Sequence, residues 1–123
     1  MTENELRKKI AMHGQSLFER NYTCGGSGNI SARLEDGILV TPTNSCMGRL
    51  DPERISKIDW DGNLLGGDKP SKEWILHLAV YRASAGYQAV VHLHSPHAVA
   101  VSGPSRLMQG NSAILNEQYQ INE

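Results

Sequence analysis

The chain has 123 residues, twelve basic and thirteen acidic, with a formal net charge of −1. That length suits one domain with a modest core, and the near-neutral balance excludes the electrostatic footprint of a nucleic-acid binder. No apolar stretch approaches the about 20 residues that cross a bilayer, and the N-terminus lacks the basic-then-apolar layout of a signal peptide. Cys24 and Cys46 share no metal or redox spacing. The simplest reading is a cytoplasmic protein with reduced thiols, both cysteines being small buried fillers.

Leu6, Ile10, His13 and Leu17 or Phe18 follow helical spacing, which predicts an amphipathic helix over residues 3 to 21. His13 falls on its apolar face as a hydrogen-bonded core histidine, and Arg7-Lys8-Lys9 on its solvated face. Cys24-Gly25-Gly26-Ser27-Gly28 ends the helical pattern. Two short strands follow, around Ile30 to Leu34 and Ile38 to Thr41, joined by the hairpin-type connection Glu35-Asp36-Gly37. A loop from Pro42 to Leu50 leads to a single helical turn, with Asp51 as its cap and Pro52 at its first position. Ile55 to Trp60 reads as a third strand, closed by Asp61-Gly62-Asn63. Gly66 to Pro70 is a flexible approach to a second helix, from Ser71 as N-cap to about Ser84, with Trp74, Leu78 and Tyr81 or Arg82 defining its faces. Gly86 ends that helix, and Gln88 to His94 reads as a strand. From Gly103 onward apolar residues are scattered without period, so no structure is assigned to 103–123.

Chemistry gathers at the last of these strands. On a strand, residues i and i+2 share a face, so His92 and His94 aim two imidazoles at one point while Leu93 packs on the other side. Such a pair suits a borderline-soft cation such as zinc; the plainer alternative is two polar residues where a strand leaves the core. Glu73 sits at the start of the second helix, beside the Ser71 hydroxyl and the Lys72 ammonium. Helix-start N–H donors and the dipole make that end an anion site for phosphate or a sugar carboxylate, unless Glu73 merely complements the dipole. The Gly25–Asn29 turn offers unobstructed backbone N–H groups, and Thr41 to Ser45 supplies hydroxyls after a strand. His77, one helical turn after Glu73, is a rival ligand that reads more simply as structural between Leu76 and Leu78. His97 follows Ser95-Pro96 in a loop.

Gly-Asn-Ile-Ser (28–31), Thr-Pro-Thr (41–43), Lys-Pro-Ser-Lys-Glu (69–73) and Val-Val-His-Leu-His-Ser (90–95), in this order, resemble the class II aldolase/adducin family. The resemblance covers about residues 5 to 102. It implies an α/β fold of three layers, α/β/α, with a mainly antiparallel sheet, in a fourfold-symmetric homotetramer. It further implies one zinc ion per subunit on His92 and His94, with Glu73 as an acid/base that also reaches the metal. Gly28, Asn29, Thr43 and Ser71 become the phosphate pocket. Asn44 stands where the family usually has Gly or Ser, and Lys72 where aldolases and epimerases tend to carry Ser or Thr. Lys-Pro-Ser-Lys-Glu therefore looks more like the 3-oxo-tetronate 4-phosphate decarboxylase branch.

The implied reaction is decarboxylation of that phosphorylated sugar acid to dihydroxyacetone phosphate, with zinc as Lewis acid and Glu73 managing the proton. A sugar-phosphate aldolase or 4-epimerase is the alternative with the same pocket. Family members run on with a further zinc histidine and a late tyrosine, whereas this chain has no histidine after His97. It is therefore read as a truncated or frame-shifted member: an aldolase-like part over 1–102 and a non-matching tail over 103–123. An inactive scaffold, as adducin is in a cytoskeletal role, is the reading from another class.

Overall fold

Helix α1 (Glu3–Glu19) starts at a capping box in which Thr2 and Glu5 satisfy each other's backbone N–H groups. The computed structural model describes residues 1–94, so His97 and the 103–123 tail lie outside the described residues. The helix ends two residues before the sequence expectation because Asn21 enters the left-handed region (φ 63). There the Tyr22 N–H reaches back to Leu17 O at 3.0 Å.

Among the described residues five strands follow the order β4-β3-β2-β1-β5, every pair antiparallel. They are β1 (Asn29–Arg33), β2 (Gly37–Val40), β3 (Ser56–Asp59), β4 (Leu64–Gly66) and β5 (Ala89–His92). Alternation along the strands divides the core in two. Ile30, Ala32 and Leu39 pack with Ile10 of α1, Met47 and Ile55 on one face. Ile38, Val40, Ile58 and Val90 pack with Leu78 and Tyr81 of α2 (Trp74–Ala83) on the other. The result is the expected three layers, α/β/α, around an antiparallel sheet.

Several local expectations are corrected. His13 is exposed rather than in the core; the buried position on that face is Gly14, where a Cβ would stand 2.8 Å from Met47 O. The helix thus touches the 3₁₀ turn Met47–Arg49, which lies inside the segment expected to be a loop. Arg7 is not solvated: it donates to Pro52 O at 3.0 Å and Ile55 O at 2.7 Å, and pairs with Glu3. Neither cysteine is a buried filler, Cys24 being exposed and Cys46 half-buried. The predicted turn at Asp51 is present as a 3₁₀ turn, Pro52–Arg54, with the Asp51 carboxylate accepting from Glu53 N–H.

The segment read as flexible, Gly66 to Pro70, is instead tied down. Leu64–Gly66 forms β4 against β3, and Gly67 takes φ 77 where a Cβ would meet Ile55 O at 2.2 Å. Beyond it, the Asp68 N–H donates to Arg54 O, the Thr43 N–H to Lys69 O and the Ser71 N–H to Thr41 O, all at 2.9–3.0 Å. These bonds clip the approach to α2 against the end of β2. Helix α2 itself begins at Trp74 with Glu73 at the cap position, not at Ser71. Among the described residues no helix is long and apolar enough to cross a membrane.

Candidate metal and anion site

The site forms where β1, β5 and the start of α2 meet. Register pairs Asn29 of β1 with His92 of β5, and the clip at Thr41–Ser71 brings Glu73 above them. His92 is buried, at 6 % exposure, on the last residue of β5, and His94 lies just beyond the strand with half its side chain exposed. The two rings are 4.9 Å apart between centroids. His92 Nδ1 lies against Glu73 Oε2, and His94 Nε2 stands 4.0 Å from Glu73 Oε1. Ligand atoms of Glu73, His92 and His94 all fall within 4.8 Å of one another. Leu93, between the histidines, is buried on the α1 side and lines a groove with His13 and Leu17. The same-face geometry expected of the His-x-His pair is therefore present, with a carboxylate at its focus.

Two imidazoles and one carboxylate form a donor set that suits a borderline cation, and zinc in catalytic sites commonly takes three protein ligands and leaves a fourth position open. The chemistry and spacing of these three residues fit such an ion.

A cavity of about 310 Å³ opens directly beside this cluster. Gly28, Asn29, Thr43, Asn44, Ser71, Lys72, Glu73 and His94 all line it, so every substrate-binding candidate from the sequence converges there. Gly26 and Ser27 of the glycine-rich turn and Pro42 of the Thr41–Ser45 stretch complete the wall. Asn44 holds φ 57. That explains why Asn can stand where glycine is usual, since its short polar side chain tolerates the left-handed region. The helix-start donors are less open than the sequence suggested. Ser71 Oγ accepts from Glu73 N–H at 3.4 Å, and Ser71 O from Trp74 N–H at 3.1 Å. What Ser71 retains for a ligand is its hydroxyl proton.

His77 proves structural, as the plainer reading held, but its connections lead to the site. It is fully buried, with Ser31 Oγ 2.6 Å from Nδ1 and Asn29 Oδ1 bonded to Nε2. Ser31 Oγ is 2.7 Å from the Tyr81 hydroxyl, and Asn29 Nδ2 donates to Glu73 Oε2 at 3.2 Å. Burial, with a smaller contribution from the charge of His92, lowers the His77 pKa to about 3. Burial likewise raises the Tyr81 phenol well above its ordinary value. Sequence reasoning missed Ser31 and Tyr81. The available signal was a serine between Ile30 and Ala32 in a strand, and a tyrosine on the face of the second helix.

Residues 8–121 match the model of the class II aldolase and adducin N-terminal domain, so the match runs past residue 102. A 3-oxo-tetronate 4-phosphate decarboxylase of Cupriavidus necator is 50 % identical over 101 residues, covering 82 % of this chain and 46 % of that protein. The protein of that name from Haemophilus influenzae is 49 % identical over 113 residues, covering 91 % of this chain and 54 % of its own length. The crystal structure of YgbL from Escherichia coli superposes with a TM-score of 0.79 at 48 % identity, over 81 % of this chain and 49 % of the other. An L-fuculose-1-phosphate aldolase structure from Thermus thermophilus superposes at 0.72 and 32 % identity, covering 82 % and 51 %. The chain thus spans about half the length of the curated relatives it matches.

Proposed function

This chain belongs to the class II aldolase and adducin family, and on that premise we propose that it carries the metal and phosphate half-site of a carbon–carbon lyase acting on a phosphorylated sugar acid. One observation carries the reading: the Glu73, His92 and His94 donors open onto the cavity lined by Gly28, Asn29, Thr43, Asn44, Ser71 and Lys72. The proposed substrate is 3-oxo-tetronate 4-phosphate, whose decarboxylation the names of the Cupriavidus and Haemophilus relatives state; loss of carbon dioxide from it would leave dihydroxyacetone phosphate.

His92, His94 and Glu73 would hold zinc, which when bound supplies Lewis-acid stabilisation of the negative oxygen developing as carbon dioxide leaves. Ser71 donates its hydroxyl proton to the phosphate, and Lys72 at the rim neutralises an anionic end of the substrate. The Glu73 carboxylate would take up a proton from solvent and pass it to the carbon that carbon dioxide leaves, supplying the one proton that decarboxylation consumes. Asn29, buried and bonded to Glu73, keeps that carboxylate in place. A sugar-phosphate aldolase or epimerase is the second reading, favoured by the 41 % identical L-fuculose phosphate aldolase of Methanocaldococcus jannaschii.

The test is zinc content and turnover of the purified chain. Stoichiometric zinc lost in His94→Ala, with release of dihydroxyacetone phosphate from the tetronate substrate, supports the proposal. Zinc binding without turnover assigns this chain to the inactive scaffold, and absence of zinc binding removes the metal site altogether.

A further inference from the structure

The buried polar line behind the site has only one consistent direction. Glu73's carboxylate accepts and cannot donate when ionised. Asn29 must therefore turn its amide nitrogen toward Glu73 Oε2, as it does at 3.2 Å, which leaves its carbonyl facing His77. A carbonyl accepts, so His77 must carry its proton on Nε2. Its Nδ1 is then an acceptor, and the Ser31 hydroxyl 2.6 Å away must donate to it. Ser31 Oγ in turn accepts from the Tyr81 hydroxyl at 2.7 Å. Every proton along Tyr81, Ser31, His77 and Asn29 points toward the site.

These four residues are between 0 % and 4 % exposed. Buried polar groups persist only where each is bonded, because an unmade bond leaves the group's full desolvation cost uncompensated. Two-sided groups are thereby locked to one orientation by their neighbours. An asparagine amide alone could face either way at little cost; backed by a histidine of fixed tautomer it cannot. We propose that Tyr81, Ser31 and His77 form a positioning relay that fixes the amide of Asn29 so that it donates to Glu73, holding this carboxylate against His92. The functional weight of the relay rests on the metal and proton-transfer reading of Glu73 given above; its direction does not.

The experiment uses the full chain labelled with ¹⁵N at histidine and asparagine. Nitrogen chemical shifts should show His77 as the Nε2–H tautomer without added metal. In Ser31→Ala the Nδ1–H tautomer should become populated, the Asn29 amide signal should move, and zinc affinity should fall by about tenfold. An Nδ1–H tautomer in the parent chain overturns the relay, as does Ser31→Ala with tautomer and zinc affinity both unchanged. If Ser31→Ala does not fold, His77→Gln and His77→Leu decide. Glutamine retains an N–H for Asn29 and should preserve zinc affinity and the Asn29 signal, whereas leucine should lose both. Equal behaviour of the two variants overturns the proposal. A parent chain with the Nε2–H tautomer that takes up no zinc overturns the metal reading and supports the relay.

Discussion

Acid should unfold this domain chiefly through His77. Its folded pKa of about 3 lies far below the 6.5 of a free histidine, because a protonated imidazole would lose its solvation among Ser31, Asn29 and the α2 core. Between those values the unfolded chain binds a proton that the folded chain refuses, so stability rises with pH across the window and is lost as pH falls from 6.5 toward 3. At about 1.4 kcal/mol per pH unit, that amounts to about 3 kcal/mol by pH 4. Small domains have only about 5–15 kcal/mol in hand. His77→Gln offers an uncharged amide that never protonates in this range. Urea unfolding followed by circular dichroism at pH 7, 5.5 and 4 should show the parent losing stability more steeply than the variant. The variant begins lower at pH 7, having exchanged one buried bond set for another, and the curves converge as the pH falls. Parallel losses in the two proteins would refute the reasoning, since carboxylates such as Glu3, lowered chiefly by its bond to Lys57, titrate alike in both.

Gly37→Ala should cost about 3 kcal/mol or abolish folding, read by thermal unfolding, because its Cβ would stand 2.0 Å from Ile58 O and break the β2–β3 pairing. Ser71→Ala should weaken inorganic phosphate binding about tenfold to hundredfold by calorimetry, the worth of one hydrogen bond to a charged ligand, while zinc content stays unchanged. Lys72→Ser should lower kcat/KM for 3-oxo-tetronate 4-phosphate by about tenfold, the loss of one charge-assisted contact. Unchanged values there, with faster cleavage of fuculose phosphate by the parent chain, would move the assignment to the aldolase branch.

Much of the fold is legible because its signals are local. The Asp51-Pro52 start, the hairpin at Glu35–Gly37 and the strand period around His92 each depend on neighbours within a few residues. What the sequence hides depends on distant partners. Helical spacing allows either position 13 or 14 on the buried face of α1; only the close approach of Met47 O decides for Gly14. Likewise nothing in Gly66 to Ser71 announces that Thr43 N–H will bond Lys69 O and that Thr41 O will accept from Ser71 N–H.

The same division runs through the site. His92 and His94 declare a shared face through their spacing alone, but that Glu73 meets them follows from two non-local facts. Ser71 is clipped to Thr41, and β1 lies in register with β5 so that Asn29 opposes His92. The register also explains why the histidine without a metal-like spacing matters. Ser31 is two residues from Asn29 on β1, and His77 is one turn from Glu73 on α2. Period two on the strand and period near four on the helix therefore lay two bonded pairs side by side. Shifting β1 by one residue would turn Asn29 and Ser31 to the α1 face and leave His77 facing apolar carbons. The buried polar line thus ties strand register to the geometry of Glu73, so a sequence that keeps the His-x-His pair but breaks Asn29-x-Ser31 should hold its carboxylate less firmly.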